Sequence, residues 1–186
     1  MKQVNAIDKL ELLAEELLKR IGPPLSLKSL GEDLEVDSKT IKHRLEIFFS
    51  LYYTFQISPC GAPKIRAVKK EQKLYFWDLS LTEEQGARFE NLVTSHLLKY
   101  CHHYEDVYEH KMELRYIRDT DKREFYFVVI KNHTPLFAVE YKLSERSLSP
   151  HISYFKARTK IRNFYQVHLD QNECQVASDI MILPFG

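Results

Sequence analysis

A carboxylate and an ammonium stand two residues apart in the stretch 136–142, which has the composition of a β-strand. Side chains at alternate positions of a strand project from one face, so Glu140 and Lys142 share a face with the apolar residues Leu136 and Ala138. A buried pair of this kind is costly unless it has a partner or a metal ion. The pattern therefore marks Glu140 and Lys142 as candidate site residues.

A third candidate, Glu90, lies on a predicted helix. Thr82 and Gln85 have the spacing of a capping box, and apolar residues then recur at helical spacing to about Tyr100. Glu90 lies at the edge of this apolar stripe. A carboxylate there either borders solvent at the edge of the core, which is the more common case, or is directed into a site.

Short strands and one further helix are predicted after this helix. The predicted order is α-helix, hairpin, strand, helix and then strands. This order indicates a mixed β-sheet flanked by helices. The strands are predicted at 107–108, 114–117, 124–130, 136–142, 164–169 and 180–183, and the helix contains Ile152, Phe155 and Ile161.

The N-terminal part has the pattern of a helix-turn-helix. A helix ends at Gly22-Pro23-Pro24, a short helix fits 27–34, and Asp37 or Ser38 caps a third helix. Glu35 occupies the turn position where glycine is common. The third helix carries one polar face, composed of Lys39, Lys42, His43 and Glu46.

Two interpretations of this polar face remain open. Lysines on a recognition helix contact phosphates or base edges of DNA, whereas an ordinary solvated face or a protein-docking surface has the same composition. Strands at 53–57, 65–68 and 74–77 would add a basic wing that reaches the phosphate backbone. Lysines also protect sheet edges without any ligand. The cationic residues of this segment are Lys64, Arg66, Lys69, Lys70 and Lys73.

Composition limits the function classes. The 186 residues suit two small domains, predicted as a winged-helix module at 1–77 and a second domain at 78–186. No apolar run has the length of a membrane span, and the three cysteines form no CxxC pair, which favours a cytoplasmic protein. None of the five glycines builds a GxxxxGK[ST] or GxGxxG motif, so nucleotide hydrolysis is not expected.

The helix with Glu90, the hairpin and Glu140-Tyr141-Lys142 together resemble the PD-(D/E)XK nuclease core. The resemblance extends over nearly the whole chain to a domain found C-terminal to the ATPase module of bacterial and archaeal AAA-type ATPases, in which a winged helix precedes a nuclease-like domain. It implies an α+β fold of the restriction-endonuclease type and an ATPase domain or another protein as partner. The stretches that carry it are 73–79, 89–93, 116–119, 124–129 and 139–142.

The resemblance also implies a degenerate site. An aspartate of the family's metal site is Tyr126 in this chain, and a neutral phenol is a poor ligand for Mg²⁺. We therefore expect no cofactor, and a non-catalytic region that binds duplex DNA or a protein partner. The alternatives are a pure docking module and a Mg²⁺-dependent nuclease in which Glu124 replaces the lost acid beside Glu90, Glu140 and Lys142.

Overall fold

The computed structural model describes residues 6–60, 71–119, 121, 123–144, 148–170 and 174–185, without the side chains of residues 6, 125, 126 and 150. In this part of the chain, five α-helices, one short 3-10 helix and nine strands form a mixed α+β fold. The predicted fold class is confirmed. Among the described residues, no helix has the length and apolar character needed to cross a bilayer.

The chain divides into two compact units. The first comprises Met1–Gln56 and Glu71–Asn91, and the second comprises Ile57–Lys70 and Leu92–Gly186. The division falls within one strand and within one helix, since both elements continue across it. The domain boundary expected at residues 77 and 78 stays a prediction.

The first unit contains three complete α-helices, two complete strands, the 3-10 helix at Leu79–Leu81, and the first residues of the strand and of the helix that continue across the division. Its strands follow the order β1-β3-β2, and β1 pairs antiparallel with β3 through Pro24 opposite Lys73. The elements are α1 (Ala6–Leu18), β1 (Pro24–Leu25), α2 (Leu27–Asp33), α3 (Ser38–Ser50), β2 (Thr54–Pro59) and β3 (Gln72–Phe76).

Helices α2 and α3 are separated by a short turn, and each has a capped start. The Ser26 hydroxyl accepts a hydrogen bond from the Ser29 amide at 3.2 Å, and the Asp37 carboxylate accepts from the amides of Lys39 and Thr40 at 2.8 and 2.9 Å. Of the two predicted caps of α3, Asp37 is the one used. The buried side of α3 consists of Ile41, Leu45 and Phe48.

The second unit is built on a sheet in the order β2-β4-β5-β6-β7-β9-β8. Strands β4, β5 and β6 form an antiparallel meander, and β6 and β7 pair in parallel, as do β7 and β9. Helix α5 contributes Ile152 and Phe155 to an apolar core with Val128 and Ala138. The elements are α4 (Gln85–Tyr108), β4 (Met112–Arg118), β5 (Glu124–Lys131), β6 (Thr134–Lys142), α5 (Pro150–Arg158), β7 (Asn163–His168), β8 (Gln175–Ala177) and β9 (Ile180–Pro184).

Two of the predicted assignments are wrong, and the strand expected at 65–68 lies outside the described residues. Ile161, expected in the helix with Ile152 and Phe155, follows α5, which ends at Arg158. The strand expected at 107–108 is the last turn of α4, which continues to Tyr108. The rings of Tyr100 and Tyr104 lie 4.6 Å apart and those of Tyr104 and Tyr108 lie 5.1 Å apart, so contacts between positions i and i+4 of the helix continue to its end. These contacts outweigh the strand propensity of valine and tyrosine.

Candidate functional site

The polar face of α3 is exposed to solvent along its whole length. Lys39, Lys42, His43 and Glu46 are all exposed, with positions i, i+3, i+4 and i+7 on one side of the helix. His43 Nδ1 lies 3.7 Å from a carboxylate oxygen of Glu46. Within the described ranges, Lys39 and Lys42 form no ion pair, so both ammonium groups are available to a ligand.

The turn between α2 and α3 is tight. The Val36 amide donates a hydrogen bond to the Gly31 carbonyl at 2.9 Å, and a Cβ on Gly31 would lie 2.6 Å from the Val36 carbonyl oxygen. Glu35 adopts a positive φ of 51° in this turn, at the position where the sequence lacks the common glycine. The absence of a side chain on Gly31 therefore allows the tight turn before α3.

The N-terminal end of α3 is closed to anions. The amides that a phosphate would bind there already donate to Asp37, and the Thr40 amide bond is the main cause of the lowered pKa of the Asp37 carboxyl. A carboxylate that stays charged would also repel a phosphate. Any DNA contact of α3 must therefore come from its exposed side.

Charge is distributed unevenly along the first unit and the segment that follows α3. Residues 6–37 contain eight acids and four lysines or arginines, whereas residues 38–73 contain eight lysines or arginines and two acids. Lys64, Arg66, Lys69 and Lys70 lie outside the described residues. Lys73 is buried at 1% exposure, so the expectation that it belongs to a basic surface is wrong.

Glu90 is buried among partners of the first unit. One of its oxygens, Oε1, accepts a hydrogen bond from the Tyr75 hydroxyl at 2.7 Å and lies 3.2 Å from Lys73 Nζ. Its other oxygen lies against Gly22, where an added Cβ would be 2.5 Å away. Glu90 is only 5% exposed, so the more common position beside solvent, which the sequence favoured, is wrong. We call Gly22, Lys73, Tyr75 and Glu90 the buried ion-pair cluster.

Glu140 and Lys142 pair with each other in the second unit. The Lys142 ammonium lies 3.3 Å from Glu140 Oε1, and the side chain of Glu140 is 2% exposed while that of Lys142 is 35% exposed. Both residues lie near the end of β6, as the strand periodicity predicts. The neighbouring strand β7 places Gln166 opposite Glu140 and His168 opposite Lys142.

Gln166 and His168 were not predicted as site residues. Both are fully buried, and within the described ranges neither ring nitrogen of His168 has a hydrogen-bond partner. Gln166 and His168 stand at alternate positions of the strand and so share one face with the apolar Phe164, which was the available signal.

Glu124 and Tyr126 are the remaining residues that bear on the nuclease alternative. Glu124 is half-buried and lies 3.8 Å from Arg118 Nη1, across the β4–β5 pair. Tyr126 lies in β5, and its side chain is outside the described part of the structure. Among the described residues, no three His, Cys, Asp or Glu side chains are placed to hold a metal ion.

One family model matches the N-terminal part of the chain. Residues 1–91 match a domain of unknown function, DUF8612. No curated protein and no solved structure matches the chain. The matched stretch ends at Asn91, which is also the last residue of the first compact unit.

The DUF8612 stretch contains the two arrangements with the clearest chemistry. The buried ion-pair cluster holds a carboxylate, an ammonium and a phenol within hydrogen-bonding distance, and all three groups belong to buried residues. The face of α3 presents two cations to solvent beside a histidine and a carboxylate. The cluster can stabilise the fold, and the α3 face can bind an anionic partner.

Proposed function

We propose that this chain binds duplex DNA through the exposed side of α3 and that its second unit is non-catalytic. The observation that carries the proposal is the pair of exposed lysines, Lys39 and Lys42, on the second helix of a helix-turn-helix. A helix of this motif fits the major groove and brings its exposed side chains to base edges and phosphates. The tight turn that follows Gly31 leads directly into α3.

The charge distribution supports the same surface. Duplex DNA attracts cations and repels acids, so a binding surface should be locally basic even when the molecule has a net charge of only +1. Of the lysines and arginines in residues 6–73, most lie in the segment from α3 to β3, including the four cations between β2 and β3. The acids are concentrated in α1, α2 and the turn before α3.

Removing both lysines from α3 should weaken DNA binding strongly. We expect the variant Lys39→Ala/Lys42→Ala to bind a 20-base-pair duplex about 10- to 100-fold more weakly than the wild-type chain at low salt, measured by fluorescence anisotropy. The matched control is Lys19→Ala/Lys28→Ala, which removes the same charge from exposed positions just after α1 and in α2, where the two lysines pair with Glu16 and Glu32.

The control decides what the loss means. If both double variants lose the same affinity, the effect is one of net charge and the assignment to α3 is wrong. If the wild-type chain binds no duplex at low salt, where phosphate contacts are strongest, the chain does not bind DNA and a protein-docking module is favoured. The resemblance to domains that follow an AAA-type ATPase module makes such an ATPase the proposed protein partner.

The proposal of a non-catalytic second unit rests on the partners of the carboxylates. Glu140 is held by Lys142, Glu124 lies near Arg118, and Glu90 is held by Lys73 and Tyr75 of the first unit. A Mg²⁺ site needs several anionic oxygens directed at one point. Carboxylates that are each engaged by a cation are poorly placed for that task.

Loss of Lys142 should affect stability rather than an activity. In Lys142→Ala the buried Glu140 carboxylate loses its cation, so we expect the free energy of unfolding to fall by about 1–2 kcal/mol. Lys156→Ala, which removes a half-buried partner of the exposed Asp179, should change it by less than about 0.5 kcal/mol. Urea denaturation measures both changes.

The same protein samples test the nuclease alternative. We expect no heat of binding when MgCl₂ or MnCl₂ is titrated into the wild-type chain in a calorimeter. Plasmid cleavage that requires a divalent ion and disappears in Glu140→Ala would overturn the non-catalytic assignment.

A further inference from the structure

The exposed side chains of α3 have a defined order of hydrogen-bonding types. Lys39 and Lys42 carry ammonium groups that only donate, and Glu46, one further turn along, carries a carboxylate that only accepts. The stripe from residue 39 to residue 46 is about 10 Å long at 1.5 Å per residue. That length corresponds to about three steps of 3.4 Å along a DNA strand.

The two donors discriminate among base pairs. In the major groove, guanine presents the two adjacent acceptors N7 and O6, whereas adenine places a donor beside its single acceptor and thymine adds a methyl group to its single acceptor. An ammonium group that enters the groove therefore makes its best contacts with guanine. Because α3 offers two ammonium groups one turn apart, it favours two guanines over any A·T pair.

Glu46 requires a hydrogen-bond donor on the DNA, whereas Lys39 and Lys42 require acceptors. Its carboxylate is 58% exposed and has His43 Nδ1 3.7 Å away. Near the phosphate backbone this negative charge would be repelled, so it reduces binding unless it meets a donor. The cytosine N4 amino group is a donor at the floor of the major groove and suits a glutamate.

We infer that α3 reads G·C pairs, with guanines at Lys39 and Lys42 and a cytosine at Glu46. This inference rests on the proposed binding of duplex DNA by α3 and adds its base preference. The closed N-terminal end of α3 supports it, because Asp37 removes the amides that would otherwise hold the helix end to a phosphate. The exposed side of the helix is the surface left for contact.

The test starts from a pool of duplexes with a randomised ten-base-pair core. The wild-type chain is used to select bound sequences, and the enriched core should contain adjacent guanines and a cytosine within the same few base pairs. A duplex with that core is then made with 7-deazaguanine, which lacks the N7 acceptor. We expect it to bind the wild-type chain about 3- to 10-fold more weakly than the guanine duplex.

Single-residue variants show which side chain of α3 is responsible for each base preference. In Lys39→Ala and in Lys42→Ala, the guanine and 7-deazaguanine duplexes should differ less than for the wild-type chain, and Glu46→Gln should relax the preference at the cytosine. An enriched core rich in A·T pairs, or equal affinity for the guanine and 7-deazaguanine duplexes, would overturn the inference and leave DNA binding intact. Failure to bind any duplex at low salt would overturn the proposed function itself.

Discussion

Replacing Lys73 with methionine is expected to lower the free energy of unfolding by about 3–5 kcal/mol, the cost of leaving a buried carboxylate without its cation. Lys73 is 1% exposed and its ammonium lies 3.2 Å from Glu90 Oε1. Methionine has a similar shape and can fill the space, so packing changes little. The loss would therefore report the charge left on Glu90, which keeps only the Tyr75 hydroxyl as its hydrogen-bond donor from this cluster.

A second variant separates the effect of the unpaired charge on Glu90 from the effect of the changed side-chain volume at residue 73. In Lys73→Met/Glu90→Gln the unpaired charge is gone and the introduced glutamine amide can still accept from Tyr75, so most of the lost stability should return. Lys28→Met is the control, because Lys28 is 84% exposed and lies 3.7 Å from Glu32. Urea denaturation followed by circular dichroism measures all three. If the free energy of unfolding falls by less than about 1 kcal/mol in Lys73→Met, the ion pair of Lys73 and Glu90 contributes little to the stability of the fold.

Replacing Gly22 with alanine is expected to cost about 2–4 kcal/mol for two separate reasons. Gly22 has a φ of 92°, a conformation that residues with a Cβ rarely adopt. An added Cβ would also lie 2.5 Å from Glu90 Oε2, so the carboxylate would have to move away from Lys73 and Tyr75. The backbone of the α1–β1 connection and the buried ion-pair cluster are thus coupled.

The coupling can be measured with a double-mutant cycle. If the clash with Glu90 contributes, Gly22→Ala should cost less in a Glu90→Ala background, where only the backbone strain remains. Gly86→Ala is the control, since its added Cβ would meet the movable Glu84 side chain at 3.1 Å on an exposed turn of α4. We expect Gly86→Ala to be neutral or slightly stabilising. The coupling is refuted if Gly22→Ala costs the same in both backgrounds.

Local rules predicted most of the elements. The caps, the glycine and proline punctuation and the apolar spacing placed α2, α3 and the strands β4 to β7 close to where they lie, because these signals act within a few residues. Strands β1 and β8 have two and three residues and were not predicted. A strand this short depends on its partner strand, and its own residues contain little signal.

The buried ion-pair cluster illustrates what local rules miss. Lys73 stands in a sequence rich in lysine, which favours a solvated hairpin, and Glu90 stands at the edge of a helix stripe. Their burial follows from the pairing of β3 with β1 and from the contact of Gly22 with Glu90, which join residues far apart in the chain. Only tertiary structure shows that the two charges neutralise each other.

In the second unit the sequence predicted Glu140 and Lys142 but missed the two residues that lie beside them. Strand periodicity alone places Glu140 and Lys142 on one face, and the structure pairs them. The parallel pairing of β6 with β7 then brings Gln166 and His168 beside them. The register of a parallel pair depends on the crossover through α5, which a sequence pattern does not specify.

The central claim is that α3 and the basic segment after it bind the phosphates and bases of duplex DNA. The most direct test is the affinity of the wild-type chain for one labelled duplex, measured by anisotropy from 50 to 200 mM salt. We predict a straight line when the logarithm of the association constant is plotted against the logarithm of the salt concentration, with a slope of about −4, so that the affinity falls about 250-fold over this fourfold range of salt. No binding at 50 mM salt, or an affinity that does not change with salt, would contradict the account.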